Sequence, residues 1–299
     1  MSLAAQGSRR RRASAGLGAL AIGMGMLAGC ATPPTGITVA RPCVGAAAPA
    51  AYRHVVVVFM ENKSFDQIIG SRAAPYINSL AARCGLATQY HGVSYPSEPN
   101  YLAATGGSTF GVTNDNLPSA NATNAPSIFS QTGASWASLS ESMPRNCDAV
   151  NAYPYLVKHN PAPFYRNLGT ACARQNVPLT SNPSFAARYT FVSPNMLHDM
   201  HDGTITQGDT WLKTFVPKVI SSPGYQAETT VLLIVWDTDD GTSANRAPAL
   251  IIAPQVKPHT VNGTVFNHYS LLRLSEELLK LPRLVNAATA SDMRAPFHL

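Results

Sequence analysis

The stretch His54–Gly70 reads HVVVVFMENKSFDQIIG. Four consecutive valines followed by Phe59 and Met60 show no alternation of apolar and polar residues, so the run predicts a strand buried on both faces. Strands of this kind lie inside parallel α/β sheets, which bind ligands beyond the carboxyl ends of their strands. The run stops at Glu61-Asn62, so a carboxylate and an amide fall at that end. On this stretch alone, Glu61 is equally a solvated loop acid and Asn62 a turn former.

A second run of the same kind, Thr229–Trp236 (TTVLLIVW), ends in Asp237-Thr238-Asp239-Asp240-Gly241. Parallel strands would bring the two acidic ends together, and facing carboxylates need a cation or a shared proton to be tolerated. Carboxylate and amide oxygens suit hard ions such as Mg, Ca or Mn, and added histidine would admit Zn or Fe. Between the runs, Ala74–Arg83 has helical spacing and Leu86–His91 reads as a second strand, the βαβ order of a parallel sheet.

That second strand leads into Ser94–Gly107, SYPSEPNYLAATGG, where Pro99 suits a first helical turn and Gly106 a stop. Ser97 is thereby placed at a helix N-terminus, where free N–H groups and the helix dipole favour a phosphoryl anion. A hydroxyl there is either a nucleophile or a cap. Gly111–Asn124 is a polar loop whose Asp115-Asn116 either reaches the site or forms turns. Ser127–Met143 is expected to be a helix, and Cys147–Thr180 a Pro-rich, irregular excursion over the sheet.

Arg188–Val192 reads as a third strand, followed by Pro194–Gly203, PNMLHDMHDG. Here His198, Asp199, His201 and Asp202 are candidate metal ligands or acid/base groups, half of which a solvated loop would equally accommodate. Gly208-Asp209 opens an amphipathic helix with Asp209 as its expected cap, and Ala249–Ala253 is a further strand. His268 precedes the helix Tyr269–Leu281. A helix N-terminus keeps an imidazole neutral, ready to ligate, to donate one hydrogen bond or merely to cap.

The first residues are not fold. Arg9–Arg12 form a positive segment, Ala15–Met26 an apolar run too short to span a bilayer, and Leu27-Ala28-Gly29-Cys30 follows. Residues 1–29 are thus expected to be a lipoprotein-type signal peptide, with lipid attached to Cys30 holding the chain to the outer face of a bacterial cell membrane. An ordinary secretory signal is the alternative. Residues 30–50 read as a flexible tether, and 51–299 as one α/β domain. Four of the 22 Lys+Arg lie at Arg9–Arg12 and none of the 16 Asp+Glu precedes Cys30, leaving 18 against 16. With no basic stripe, nothing points to nucleic acid. Cys43, Cys84, Cys147 and Cys172 suggest two disulfides, of which Cys43–Cys84 and Cys147–Cys172 join neighbouring segments.

Glu61-Asn62-Lys63-Ser64-Phe65-Asp66 resembles the ENRSFD motif of the phosphoesterase family that holds bacterial phospholipases C and acid phosphatases. Further similarities follow in the family's order at Pro96–Gly107, Pro194–Gly203, Gly208–Leu212, Val235–Gly241 and Asn267–Leu272. The resemblance implies an alkaline-phosphatase-like three-layer sandwich with a central, mostly parallel sheet. The likeness is greatest to the short secreted acid phosphatases, so it implies hydrolysis of phosphate monoesters, phosphoinositides among them, through a phosphoserine. A phospholipase C-type phosphodiesterase, or an inactive surface lipoprotein of the same fold, are the alternatives.

Carried over by residue, the resemblance makes Ser97 the nucleophile and Glu61, Asn62 and Asp237 ligands of a divalent metal ion or of phosphate. Thr238 stands where the family commonly has Glu, so the second carboxylate is either missing or supplied by Asp239, which is then a further metal ligand. Asn62, Asn100 and Asn116 are expected to bind substrate, and His268 or His201 to protonate the leaving alcohol. Tyr95 stands where the family commonly has His before the Pro-Ser pair.

Overall fold

The computed structural model describes residues 42–299. The expected signal peptide, Cys30 and most of the expected tether lie outside the described residues. The last part of that tether is built into the domain. Cys43 is buried and disulfide-bonded to Cys84, and the N–H groups of Val44, Gly45 and Ala46 donate to the carbonyls of Pro254 and Val256.

The described strands are β1 (His54–Met60), β2 (Gly85–His91), β3 (Trp136–Ser140), β4 (Asn176–Pro178), β5 (Tyr189–Ser193), β6 (Thr230–Trp236), β7 (Arg246–Ile252) and β8 (Thr260–Asn267). They form one eight-stranded sheet in the order β4-β3-β5-β1-β6-β7-β2-β8, in which β7 runs antiparallel to both its neighbours. The expected α/β class with a mostly parallel central sheet is therefore found. β1 lies near the middle, parallel to β5 and β6, and Val55–Met60 are fully buried. Successive side chains of a strand point to opposite faces, so both faces at β1 are covered. Each such side chain contributes about 1.5–3 kcal/mol through burial.

Two helix pairs do the covering. Pro75–Arg83 packs against Ile205–Ile220, and Glu98–Gly106 against His268–Leu278. The second pair lies on the Phe59 side, since the Phe59 ring is 4.6 Å from that of Tyr101 and 5.0 Å from that of His268. Asp209 does not cap its own helix, which starts at Thr204 with a capping box. Its carboxylate instead crosses to the other helix, accepting from Tyr76 N at 3.2 Å and Ile77 N at 2.8 Å. A cap is a demand of orphan N–H groups, and the chain that answers it need not be local.

Ser127–Met143 is not one helix. Ser127 caps a single turn, Ile128–Gln131, then Gly133 at φ 61° lets the chain turn and residues 136–140 form β3. Pairing with β5 and β4 outweighs a weak helical period there. β8, unforeseen as a strand, is an edge strand whose sheet partner is β2. Both expected disulfides are present, and Cys147–Cys172 staples the excursion, which holds short 3-10 turns and the helix Thr170–Gln175.

Candidate active site

Register assembles the site. Met60 of β1 pairs with Trp236 of β6, so Glu61 and Asp237 leave the sheet level with each other. The ladder runs one rung further, with Asp237 N donating to Met60 O at 2.9 Å, and Glu61 N donates to Asp199 O at 2.8 Å beyond β5. Three carboxylates, Glu61 and Asp237 directly after β1 and β6 and Asp199 in the loop that follows β5, thus meet in a region with almost no solvent exposure. Asn62 adopts φ 44°, uncommon for a residue with a side chain, and its N–H donates to Asp237 Oδ1 at 3.1 Å.

Ser97 is buried at the N-cap of the helix Glu98–Gly106 but makes no side-chain cap bond. Its hydroxyl donates instead to Glu61 Oε2 at 2.9 Å. Glu61 Oε1 accepts from the Tyr101 hydroxyl at 2.6 Å and lies 3.2 Å from His159 Nε2. That last contact is not along a hydrogen-bond direction, so His159 Nε2 has no hydrogen-bond partner among the described residues. His159 Nδ1 is 3.1 Å from Asp199 Oδ2, and Asp199 Oδ1 accepts from His201 N at 2.7 Å. Burial, then the charges of Asp237 and Asp199, push the Glu61 carboxyl well above the usual carboxylate range. Burial likewise raises Asp199. His159 is lowered to about 3, by burial first and the Lys158 charge next.

These residues fit a cation. Donor atoms of Glu61, His159 and His201 all lie within 4.8 Å of one another, and the buried Asp237 Oδ2 has no partner among the described residues. A positive ion would relieve the carboxylate repulsion and use the bare imidazole nitrogen, and this oxygen–nitrogen donor set would admit Zn or Fe besides hard ions.

The expected ligand set was Glu61, Asn62, Asp237 and Asp239, and of these only Glu61 belongs to the group of three. Asn62 Oδ1 is committed to the Thr238 hydroxyl at 2.8 Å. Asp239 is turned into its own loop. It accepts from Gly241 N at 2.7 Å, Ser243 N at 2.6 Å, Asn245 N at 3.0 Å and the Tyr95 hydroxyl. Burial works against its charge, but the Tyr95 bond and those N–H groups hold it below its usual range. Tyr95, half exposed, thus anchors that loop.

The other expected residues divide similarly. Asn100 spends its amide on the loop ahead of Ser97, accepting from Val93 N and Ser94 N and donating to Ser94 O and Pro96 O, so nothing remains for substrate. Asn116 is exposed, one residue beyond Asp115. His268 is buried with both nitrogens engaged, Nδ1 with the Tyr90 hydroxyl at 2.8 Å and Nε2 with Asp237 O at 2.6 Å, which leaves no nitrogen to protonate an alcohol. His201 joins the site, its Nδ1 2.8 Å from Asp202 Oδ1 and its Nε2 3.4 Å from Lys158 Nζ. His159, Lys158 and Tyr101 were not foreseen. For His159 the only local signal is a histidine in an otherwise aperiodic, disulfide-bounded segment.

A family described as the phosphoesterase family matches residues 71–282. The phosphatidylinositol-3-phosphatase of Mycobacterium tuberculosis is 37% identical over 264 residues, spanning 84% of this chain and 85% of that protein. A probable acid phosphatase of Kluyveromyces lactis is 28% identical over 260 residues, 79% of this chain and 60% of that one. A Vibrio parahaemolyticus protein of the alkaline phosphatase superfamily superposes with a TM-score of 0.56 at 14% identity, covering 83% of this chain and 72% of that one, a likeness of fold alone.

Proposed function

The chain belongs to the phosphoesterase family, and from that premise we propose that it is a phosphomonoesterase that passes the phosphoryl group through Ser97. The observation that carries this is the Ser97 hydroxyl, set at a helix start and held 2.9 Å from a buried carboxylate. Glu61 Oε2 takes the proton as Ser97 Oγ forms its bond to phosphorus and the bond to the alcohol oxygen breaks. Water then attacks the phosphoserine, releasing inorganic phosphate and restoring the hydroxyl.

Asn62, whose Oδ1 is fixed by Thr238, keeps its amide NH2 for a phosphoryl oxygen. Glu61, His159 and His201 would hold a divalent cation, which when bound offsets phosphoryl charge and favours the serine alkoxide. His201 Nε2 cannot hold an ion and deliver a proton together, so the alcohol draws its proton from water. His268 supports the Asp237 backbone from behind. Replacing Ser97 with Ala should lower turnover of p-nitrophenyl phosphate at least about 10³-fold; retention of most of the activity would sink the reading.

Phosphoinositides belong to the substrates we propose, on the strength of the relative that acts on one. Export and anchoring through lipidated Cys30 are part of the same reading, supported by the Leu27–Cys30 pattern and by two disulfides suited to an oxidising compartment. Labelled palmitate should enter the protein made in its native host and be lost in Cys30→Ser; no incorporation would exclude the anchor.

A further inference from the structure

Asp115 and Lys158 flank the site and take part in none of the steps above. Both oxygens of Asp115 are spent on donors beside the nucleophile. Oδ1 accepts from the backbone N–H of Glu98 at 3.0 Å, the residue after Ser97 and the first of its helix. Oδ2 accepts from Lys158 Nζ at 3.0 Å. Lys158 Nζ stands 3.4 Å from His201 Nε2, and His201 is grouped with Glu61, whose Oε2 holds the Ser97 hydroxyl.

A helix N–H and an ammonium from separate parts of the chain therefore converge on one two-oxygen anion next to Ser97. Two such donors aimed at adjacent oxygens are what the equatorial oxygens of a phosphoryl group require. In this structure a carboxylate of the chain fills that place. Asp115 faces solvent in part: its side chain is 25% exposed, and it sits on a polar loop beside the exposed Asn116.

We propose that the Glu98 N–H and the Lys158 ammonium form the phosphoryl-oxygen site, and that Asp115 is an internal occupant which the substrate's phosphoryl group displaces. The inference rests on the phosphomonoesterase reading. Lys158 is then a catalytic residue, touching the group in transfer, while Asp115 sets affinity by competing for the same donors. Competition by an internal group lowers apparent affinity by the fraction of sites it fills, for substrate and for product phosphate alike. Asp115 would thus speed release of inorganic phosphate at the expense of substrate affinity.

Calorimetric titration of inorganic phosphate into the full chain tests this. Asp115→Asn and Asp115→Ala should each bind phosphate about five- to tenfold more tightly than the wild type, with KM for p-nitrophenyl phosphate falling in step. Lys158→Met should bind it at least about tenfold more weakly, and Lys158→Arg should recover part of the loss. Unchanged or weaker phosphate binding in both Asp115 variants would overturn the proposal, since Asp115 would then merely hold Lys158 in place. Failure of the parent reading looks different: the wild type would hydrolyse no monoester, or Ser97→Ala would keep its activity, whatever the calorimetry gave.

Discussion

His159 and His268 are both buried imidazoles, and burial lowers both, to about 3 and about 4, yet they serve opposite ends. His268 opens the last helix with each ring nitrogen paired, one to a tyrosine hydroxyl and one to the Asp237 carbonyl. His159 stands in the excursion between Cys147 and Cys172, its ring stacked on Tyr101 at 5.4 Å, with Nδ1 facing Asp199 and Nε2 bare beside Glu61. An imidazole with both nitrogens spent is a strut. One whose first nitrogen is oriented by a carboxylate while the second is unspent is prepared to ligate. Burial and a lowered pKa are common to the pair, so neither identifies the functional histidine; the free nitrogen does.

The largest effect is expected at His159. His159→Ala should lose bound divalent ion on dialysis, measured by plasma emission, and lose more than about 100-fold in turnover, beyond the range for partners outside the ligand shell. Its melting temperature should fall as well, because the substitution leaves a cavity beside Tyr101, takes the partner from the buried Asp199 Oδ2 and removes the stabilisation that a bound ion supplies. A His159→Ala protein that retained ion and activity would reduce His159 to a second strut.

At His268 the expected effect is on stability. Its ordinary value is 6.5 and its folded value about 4. Between those limits the unfolded chain takes up a proton that the native ring refuses, so stability is complete above about pH 6.5 and declines as the pH falls toward 4, by on the order of 3 kcal/mol from this group. Urea midpoints across that range should show His268→Asn less stable than the wild type at pH 7 but with a shallower decline toward pH 4. Equal slopes would mean that His268 does not supply the acid sensitivity.

Much of the site's frame was legible. β1 and β6 announce themselves as uninterrupted apolar runs, and each ends on acid because a buried strand must meet polar groups where it leaves the sheet. Ser97 was legible through Pro99 and Gly106, which bracket its helix. Legibility failed where a residue's meaning depends on what folds over it. Asp237 and Asp239 lie two apart after the same strand, and only closure of the 240–245 loop, whose N–H groups wrap Asp239, decides that Asp237 alone faces Glu61. Asn100 lies in a motif that suggests chemistry, but its amide completes the backbone bonding of the loop before Ser97. Asp209 looked like a local cap and serves a distant helix.

By itself the sequence determined the sheet's central strands, the acids at their ends and the serine at a helix start. These depend on interactions local in the chain or on bulk hydrophobicity, which composition and period express directly. Only the tertiary structure decided that His159 meets Glu61, that Lys158 and the Glu98 N–H share Asp115, and that His268 is spent on support. Those outcomes turn on distances of about 3 Å between groups far apart in the chain, and on which polar atoms the fold leaves unpaired, neither of which has a signature in local order.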